Sequence, residues 1–271
     1  IERLKAERRS GYRTADVMTG AGTFTLITKQ EGLTQALGDL PESRTGALPW
    51  QDKDGHILLT LLYTASPWVN TALVRPGTEP KSWRDLLKAE WKGKIGIQDP
   101  DTSPTSNIIF HGLTSRGKLD LAYFKELRKQ ELRFQISSRM AGQALARGEM
   151  PLDFVSTASN LGAFLQESAP LKAIDMAEGV ILVRSTGVAL ILGGPHPNAG
   201  RVFINWLISQ EGQTIYHQAN GTMSSRKDVP NFEPLAAQLT PASPIVLTPE
   251  DDLEVARIQK EKVLKKLLIG E

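Results

Sequence analysis

The order of apolar and polar residues along the chain predicts that strands alternate with helices. Short apolar runs indicate strands, whereas apolar residues that recur every three or four positions indicate amphipathic helices. The predicted strands are Ala15–Met18, Ile57–Tyr63, Val69–Val74, Lys94–Gln98, Leu152–Ser156, Gly179–Val183 and Thr186–Leu192. The predicted helices are 1–10, 24–30, 107–113, 121–128, 140–146, 198–210 and 251–268. This alternation is typical of an α/β protein, in which we expect mostly parallel strand pairing.

Helix signals support several of these assignments. Ser82, with Asp85 three residues later, is close to a capping box. In the predicted helix 198–210, we expect Val202, Phe203, Trp206 and Leu207 to form one apolar face.

Three loops rich in Ser, Thr and Gly follow predicted strands. They are Thr19–Thr23, Thr102–Ser106 and Ser156–Asn160. In an α/β sheet, ligands bind outside the carboxyl ends of the strands, and a loop that opens a helix offers free N–H groups to anions. Each loop alone could simply cap a helix. Three such loops in one chain favour a binding cleft.

Composition and charge narrow the class of protein. The chain has 271 residues, which fits one large or two modest domains, and its 40% hydrophobic and 23% charged residues are typical of a globular protein. A formal net charge of +2 gives no electrostatic reason to expect a nucleic-acid partner. No apolar run is long enough for a transmembrane helix. No signal peptide is visible, and because the chain opens on Ile1, we expect the natural start to lie upstream.

The residue inventory argues against catalysis and against a resident metal. The absence of cysteine excludes disulfides, Cys-ligated zinc, iron–sulfur clusters and a Cys nucleophile. The four histidines lack metal-binding spacing, and there is neither a G-x-S-x-G elbow nor a phosphate-binding P-loop. We therefore predict no catalytic residue, no metal site and no cofactor.

Several segments resemble a known family. They are Tyr63–Val69, Ser82–Leu87, Glu90–Pro100, Pro195–Gln213 and Gly221–Val229. In this order they resemble segments of the extracellular solute-binding proteins of ABC importers, in the branch that takes iron(III), phosphonates or polyamines. The resemblance covers residues 14–229.

The resemblance implies a two-lobed type II periplasmic-binding-protein fold that holds its ligand between hinged lobes. Lobe one would comprise residues 1–70 and 179–225, and lobe two residues 71–178. The remaining residues 226–271 would form an extended segment and a helix that packs on the lobes. The chain would cross near Trp68–Asn70 and return near Glu178–Arg184. Family members begin with a strand, a helix and a strand that this chain lacks, so we expect lobe one to be incomplete.

The implied function is that of a receptor, periplasmic or extracellular and monomeric, which binds a small solute and delivers it to the transmembrane subunits of an ABC permease. Hydroxyls, amides and N–H groups suit an oxyanion such as a phosphonate or a phosphate ester. Arg139 and Arg184 could supply positive charge, Trp68 could stack on an organic ligand, and Glu178 could meet an amine. The simpler alternatives are two solvated arginines, a packed tryptophan and an exposed acid. The full set of candidate binding residues is Thr19, Gly20, Trp68, Thr102, Ser103, Thr105, Ser106, Arg139, Ser156, Thr157, Asn160, Glu178 and Arg184.

Other functions stay open at this point. Ferric-binding family members carry adjacent tyrosines in the loop that corresponds to Ser156–Asn160. The tyrosines of this chain, at positions 12, 63, 123 and 216, include no adjacent pair, so we do not expect tyrosinate coordination of iron. The alternatives are a receptor for ferric iron or an iron chelate, a sensor or scaffold domain without a transport role, and a deaminase-like or transferase-like enzyme on the same fold.

Overall fold

The structure is a computed structural model that describes residues 1–45, 51–220, 222–233 and 245–271. Its α-helices are α1 (Glu2–Ser10), α2 (Gly22–Gln30), α3 (Thr105–Ser115), α4 (Leu121–Leu127), α5 (Ser138–Ala146), α6 (Ala158–Gln166), α7 (Pro197–Leu207), α8 (Gln210–Asn220), α9 (Pro249–Lys260) and α10 (Val263–Ile269). Its strands are β1 (Val17–Gly20), β2 (Thr34–Gln35), β3 (Ile57–Asn70), β4 (Ile95–Gln98), β5 (Arg133–Gln135), β6 (Leu152–Ser156), β7 (Leu171–Ala173), β8 (Ile181–Ile191), β9 (Met223–Ser224) and β10 (Ile245–Leu247). The predicted α/β class is confirmed. No helix in the described ranges is long and apolar enough to cross a membrane.

Contacts between residues divide the chain into two compact units. Unit 1 comprises Ile1–Tyr63 and Arg184–Phe232, and unit 2 comprises Thr64–Val183 and Glu233–Glu271. The chain therefore passes from one unit to the other within β3 and returns within β8. The units share most of their residues with the two predicted lobes, but unit 2 also takes in the C-terminal segment. The predicted lobe limits stay a prediction, and much of the predicted extended segment, residues 234–244, lies outside the described residues.

Unit 1 is built on antiparallel pairing. The strand β1 pairs with β8 from Val17↔Leu190 to Gly20↔Gly187, and β9 pairs with the first half of β3. One face packs on α7, whose Ile204 and Leu207 join a buried cluster with Leu58 and Leu190. Val202, Phe203 and Trp206 are instead exposed, so the predicted apolar face of this helix is wrong. Gly200, Ile204 and Leu207 form the i, i+4, i+7 stripe that faces the core.

Unit 2 contains a parallel three-stranded core. The strand β4 lies between β6 and β5 and pairs with both in parallel, with Gly96 opposite Asp153 on one side and Arg133 on the other. The second half of β3 adds to β6 in antiparallel orientation, and β10 adds to β8 in parallel. The predicted capping box is confirmed: Ser82 accepts from the Asp85 amide at 3.2 Å, and Asp85 accepts from the Ser82 amide at 3.0 Å.

The expectation of mostly parallel pairing is wrong. Outside β4–β5, β4–β6 and β8–β10, the pairs resolved among the described residues are antiparallel. The predicted strand bounds are also wrong at two places. Each of the long strands β3, with 14 residues, and β8, with 11 residues, was predicted as two shorter strands. In β3 the ladder continues past Pro67 through a register shift between Ser66 and Trp68, since proline is tolerated at a bulge.

The predicted C-terminal helix 251–268 is two helices in the structure. The break falls at Lys262, which has left-handed backbone angles (φ 56°, ψ 32°) and separates α9 from α10. Both helices belong to unit 2, where Val255, Ile258, Leu264 and Leu268 are buried.

Candidate functional site

Three parallel strands of unit 2 end at one edge, and each is followed by a helix. The strand β4 leads to α3, β5 to α5 and β6 to α6. Because parallel strands have their carboxyl ends at the same edge of a sheet, the three helix N-termini meet there. We call this region the polar edge and define it by Gln98, Ser103, Thr105, Ser106, Ser138, Ser156 and Thr157.

Gln98 ties the three strand ends together. It is the last residue of β4 and is fully buried. Its side-chain oxygen accepts hydrogen bonds from Ser103 Oγ at 2.7 Å and from Ser138 Oγ at 2.8 Å. Its side-chain nitrogen donates to the backbone oxygen of Val155 at 3.0 Å. One amide therefore fixes the loop after β4, the start of α5 and the end of β6.

The loop after β4 uses its hydroxyls to hold its own shape. Ser106 Oγ donates to the Gln98 backbone oxygen at 2.7 Å, and Thr105 Oγ1 lies 3.3 Å from Ser103 Oγ. These three candidate residues are buried, whereas Thr102 is exposed. The structure thus brings Ser103, Thr105 and Ser106 together, and it places the start of α3 beside them.

The end of β6 carries hydroxyls of two kinds. Thr157 caps α6 by accepting from the Asn160 amide at 3.3 Å, and Asn160 is partly exposed. Ser156 is fully buried, and its Oγ has no hydrogen-bond partner among the described residues. Ser66, which is opposite Ser156 in the β3–β6 ladder, is also buried with an unpartnered Oγ. Buried polar atoms are normally hydrogen-bonded, so this pair has bonding capacity available for water or a ligand.

Sequence reasoning missed Ser66 and Ser138. Ser138 directly precedes the predicted cation Arg139, and Ser66 lies in a polar interruption of an apolar run. Both signals are visible in the sequence, but only the β3–β6 register places Ser66 opposite Ser156, and only the hydrogen bond to Gln98 places Ser138 at the polar edge.

Two of the organic-ligand candidates have other roles in unit 2. Trp68 is 1% exposed and packs in a hydrophobic cluster with Leu145, Leu161 and Ala141. This burial agrees with the simpler alternative, a packed tryptophan, and stacking of Trp68 on a solute stays a prediction. Glu178 accepts a hydrogen bond from the Trp83 amide at 3.0 Å. This contact gives Glu178 a structural role, and the predicted contact with an amine stays a prediction.

Arg139 remains available for binding. It is the second residue of α5, is exposed, and makes no ion pair among the residues that the structure describes. Its guanidinium therefore adds an unpaired positive charge beside a helix N-terminus of the polar edge.

Three candidates belong to unit 1. Thr19 and Gly20 end β1 and are followed by α2, whose N-terminus has no side-chain cap. Arg184 is partly buried on β8, and its Nε has no hydrogen-bond partner among the described residues. Burial lowers the pKa of its guanidinium from the usual value. An unpaired, partly desolvated arginine is suited to binding an anion.

Asp153 is a buried acid that the sequence analysis also missed. It is fully buried in β6, and neither carboxylate oxygen has a hydrogen-bond partner in the described chain. Burial raises the pKa of Asp153 well above the usual value, and the nearby Val155 amide offsets this only in part. We therefore expect a neutral carboxyl at this position.

The described residues offer little to a bare metal ion. They contain no group of three or more His, Asp or Glu side chains placed to hold one. Tyr123 is buried, donates to the Trp83 backbone oxygen at 2.8 Å, and has its pKa raised by burial. It is thus held as a neutral phenol.

Comparison with known proteins defines the class. The family model described as bacterial extracellular solute-binding protein matches residues 63–220, which is more than half of the chain. The chain belongs to this family, and it is a solute-binding receptor of the kind that serves ABC importers.

Individual relatives are more distant. A Salmonella typhi protein, provisionally named as a 2-aminoethylphosphonate-binding periplasmic protein, is 26% identical over 242 residues that cover 84% of this chain and 67% of the relative. The ferric iron-binding protein A of Mannheimia haemolytica, in an open conformation, matches with a TM-score of 0.80 at 15% identity over 100% of this chain and 87% of its own. AfuA of Actinobacillus pleuropneumoniae, with bound fructose-6-phosphate, matches with a TM-score of 0.65 at 20% identity over 98% and 84%. These structures show that the chain has the type II periplasmic-binding-protein fold.

Proposed function

We propose that the protein binds a small oxyanionic solute through the polar edge of unit 2 and delivers it to the transmembrane subunits of an ABC permease. The observation that carries this proposal is the meeting of three helix N-termini at one edge, with the unpartnered hydroxyls of Ser66 and Ser156 buried beside them. The proposed place of action is the periplasm, which the name of the Salmonella relative gives, or the cell exterior, which the family description gives.

The chemistry of the polar edge favours an oxyanion. Each helix N-terminus presents backbone N–H groups and a partial positive charge. Serine and threonine hydroxyls add donors without adding negative charge, and Arg139 lies on the first turn of α5. A phosphonate or phosphate ester can accept several such hydrogen bonds at once. The provisional name of the Salmonella relative and the sugar phosphate in AfuA support this ligand class.

The same residues support binding without turnover. The polar edge consists of hydroxyls and one amide, and it includes no pair of titratable groups that could act as acid and base. We therefore propose a receptor and not an enzyme. We also propose that the receptor acts as a monomer, as the resemblance to its family implies.

Calorimetric titration tests the ligand class. We would titrate the protein with 2-aminoethylphosphonate, inorganic phosphate, ethanolamine and ferric citrate in parallel. Saturable binding of an oxyanion, without binding of ethanolamine, is the expected result. Binding of ferric citrate alone would overturn the proposal in favour of an iron-chelate receptor.

Ser156→Ala tests the place of binding. Because Ser156 Oγ makes no hydrogen bond within the described chain, its loss breaks no internal contact and should leave the melting temperature unchanged. If the hydroxyl meets the solute, affinity should fall about tenfold, as expected for a hydrogen bond to a charged group. Ser115→Ala, at the opposite end of α3, is the control for affinity: it removes an exposed hydroxyl that accepts from Arg116 Nη1 at 2.9 Å, and it should leave solute binding unchanged. Unchanged affinity in Ser156→Ala would place the solute elsewhere.

A further inference from the structure

The C-terminal helices α9 and α10 contact the loop that joins β4 to the polar edge. Lys265 Nζ lies 2.8 Å from Asp99 Oδ2, and Lys262 Nζ lies 3.3 Å from Asp101 Oδ2. Gln259 also donates from its side-chain amide to the Asp101 backbone oxygen at 3.1 Å. Three side chains from the C-terminal helices therefore hold two residues of one loop, Asp99 and Asp101.

The other end of α9 is fixed to α3, the helix that follows this loop. Asp251 Oδ1 lies 2.7 Å from His111 Nε2, and Asp251 Oδ2 lies 2.9 Å from Arg116 Nη2. Burial raises the pKa of Asp251, but hydrogen bonds from Arg116, from the Thr248 amide and from His111 outweigh it and lower the pKa to about 2. Helix α9 thus runs along α3 from its C-terminal end to the loop at its N-terminus. We call α9 and α10 together the C-terminal brace.

The loop has its own internal frame, which begins at Asp99. Asp99 Oδ1 accepts from the Asp101 amide at 3.0 Å, and the Asp99 backbone oxygen accepts from the Ser103 amide at 2.9 Å. Ser103 in turn bonds to Gln98 in the polar edge. A displacement of Asp99 would therefore be passed directly to Ser103 through the bond between the Ser103 amide and the Asp99 backbone oxygen.

Charge gives the brace a second effect. Asp99 and Asp101 place two carboxylates in a loop that leads to an oxyanion site, where they would repel the ligand. Lys265 and Asp99 are each only 18% exposed, so solvent screens this pair weakly. Lys265 Nζ also lies 4.1 Å from the ring centroid of Phe134 in β5, which holds the ammonium in place.

We propose that Lys265 and Lys262 are positioning residues of the receptor, which hold Asp99–Ser106 in its binding geometry and neutralise its carboxylates. The C-terminal brace thereby sets the affinity for an oxyanion without touching it. The effect of the brace on affinity rests on the proposed function. The effect of the brace on the loop can be measured without a ligand.

Hydrogen exchange of the ligand-free protein tests the positioning. In Lys265→Met, the amides of residues 99–106 should exchange faster than in the wild type, and Lys265→Arg should restore their protection. Lys266→Met is the matched control. It removes the same charge from the next residue, and the Lys266 side chain makes no ion pair among the described residues. Equal exchange in Lys265→Met and the wild type would overturn the positioning role.

Titration with 2-aminoethylphosphonate tests the charge effect. Lys265→Met should raise Kd by about three- to tenfold, as expected for one uncompensated charge near the site. Asp99→Asn combined with Lys265→Met should recover most of the affinity, because Asn retains the side-chain oxygen that accepts from the Asp101 amide. A general loss of packing would not be rescued in this way. An unchanged Kd in Lys265→Met, or a double variant no better than the single one, would overturn the charge effect.

The two proposals fail in different ways. If the wild type binds no oxyanion, the proposed function and the effect of the brace on affinity both fail, while hydrogen exchange still decides the positioning role. If the wild type binds and Lys265→Met behaves like Lys266→Met in both measurements, only the role of the brace fails.

Discussion

The two units use their strands in different ways. In unit 2, parallel β6, β4 and β5 each lead directly into a helix, so three polar loops collect at one edge. In unit 1, β1 and β2 pair with β8 in antiparallel orientation, and β1 leads into α2. Parallel strands require a crossover after each strand, which repeats the same helix start at the same edge. The contrast shows why the candidate binding chemistry is concentrated in unit 2.

The two units also differ in whether their buried polar groups have hydrogen-bond partners. In unit 1, Arg226 bonds to Asp228 at 2.7 Å and to the Ile208 backbone oxygen at 2.8 Å, and His217 bonds to Thr222 Oγ1 at 2.7 Å. In unit 2, Ser66 and Ser156 leave their hydroxyls unpartnered among the described residues. Satisfied groups stabilise a scaffold, whereas unsatisfied groups are available to a ligand. Among the described residues of unit 1, Arg184 is the exception, since its Nε has no hydrogen-bond partner there.

Deletion of residues 249–271 should give the largest loss of stability, and this loss should fall on unit 2 and not on unit 1. It removes the buried side chains Val255, Ile258, Leu264 and Leu268 from unit 2. At roughly 1.5–3 kcal/mol each, their loss is about 6–12 kcal/mol, comparable to the stability of a whole domain. Calorimetry should show a melting temperature lower by more than about 10 °C. Hydrogen exchange should locate the loss in unit 2, and an unchanged melting temperature would show that the helices do not stabilise it.

Trp68→Ala should give the next largest effect. Because Trp68 is 1% exposed in the core of unit 2, truncation should lower the free energy of unfolding by about 3–5 kcal/mol. Urea denaturation measures this quantity, and Trp68→Phe should cost less. If the variant instead kept its stability and lost affinity for the solute, this would support stacking of Trp68 on the solute.

Gly187→Ala and Gly20→Ala sharpen the comparison within unit 1. These glycines face each other in the β1–β8 ladder. A Cβ at Gly187 would overlap the buried side chain of Thr25, whereas a Cβ at Gly20 would meet open space. Gly187→Ala should therefore lower the free energy of unfolding by about 1–3 kcal/mol, and Gly20→Ala should leave it nearly unchanged. Equal losses in urea denaturation would contradict the geometry.

Lowering the pH should reduce the stability of unit 1 through His217. This is the smallest of the effects predicted here. Burial lowers the pKa of His217 below its usual value of 6.5, and the contact of its Nε2 with the Thr60 backbone oxygen at 3.0 Å offsets this only in part. The unfolded chain then takes up a proton that the folded chain does not, so stability falls as the pH drops below about 6.5. The expected loss is up to about 1.4 kcal/mol per pH unit. His217→Gln should flatten this dependence, and identical pH profiles would show that His217 does not contribute.

Much of the architecture was visible in the sequence. The polar loops at Thr102–Ser106 and Ser156–Asn160 do follow strands, and Ser82 does cap with Asp85. These features are local, since apolar periodicity and capping depend on residues a few positions apart. The prediction of two separate strands, Ile57–Tyr63 and Val69–Val74, is wrong because β3 continues through Pro67 with a shift in register.

Strand direction and the partners of individual side chains could not be predicted. Trp68 and Glu178 were candidates for a ligand, yet one is in the core and the other caps a backbone amide. Lys265 lies in a charged amphipathic run, and nothing in that run indicates that it reaches Asp99. These contacts join residues far apart in the chain.

The sequence by itself determined the α/β class, the receptor family and the positions at which strands give way to polar loops. Each of these follows from residues that are neighbours in the chain or from motifs in a recognisable order. Only the tertiary structure decided which loops meet at the polar edge, which hydroxyls are used within the protein and which remain for a solute. The physical reason is that sheet register and helix packing set hydrogen bonding between distant residues, and a change of one position reassigns every partner.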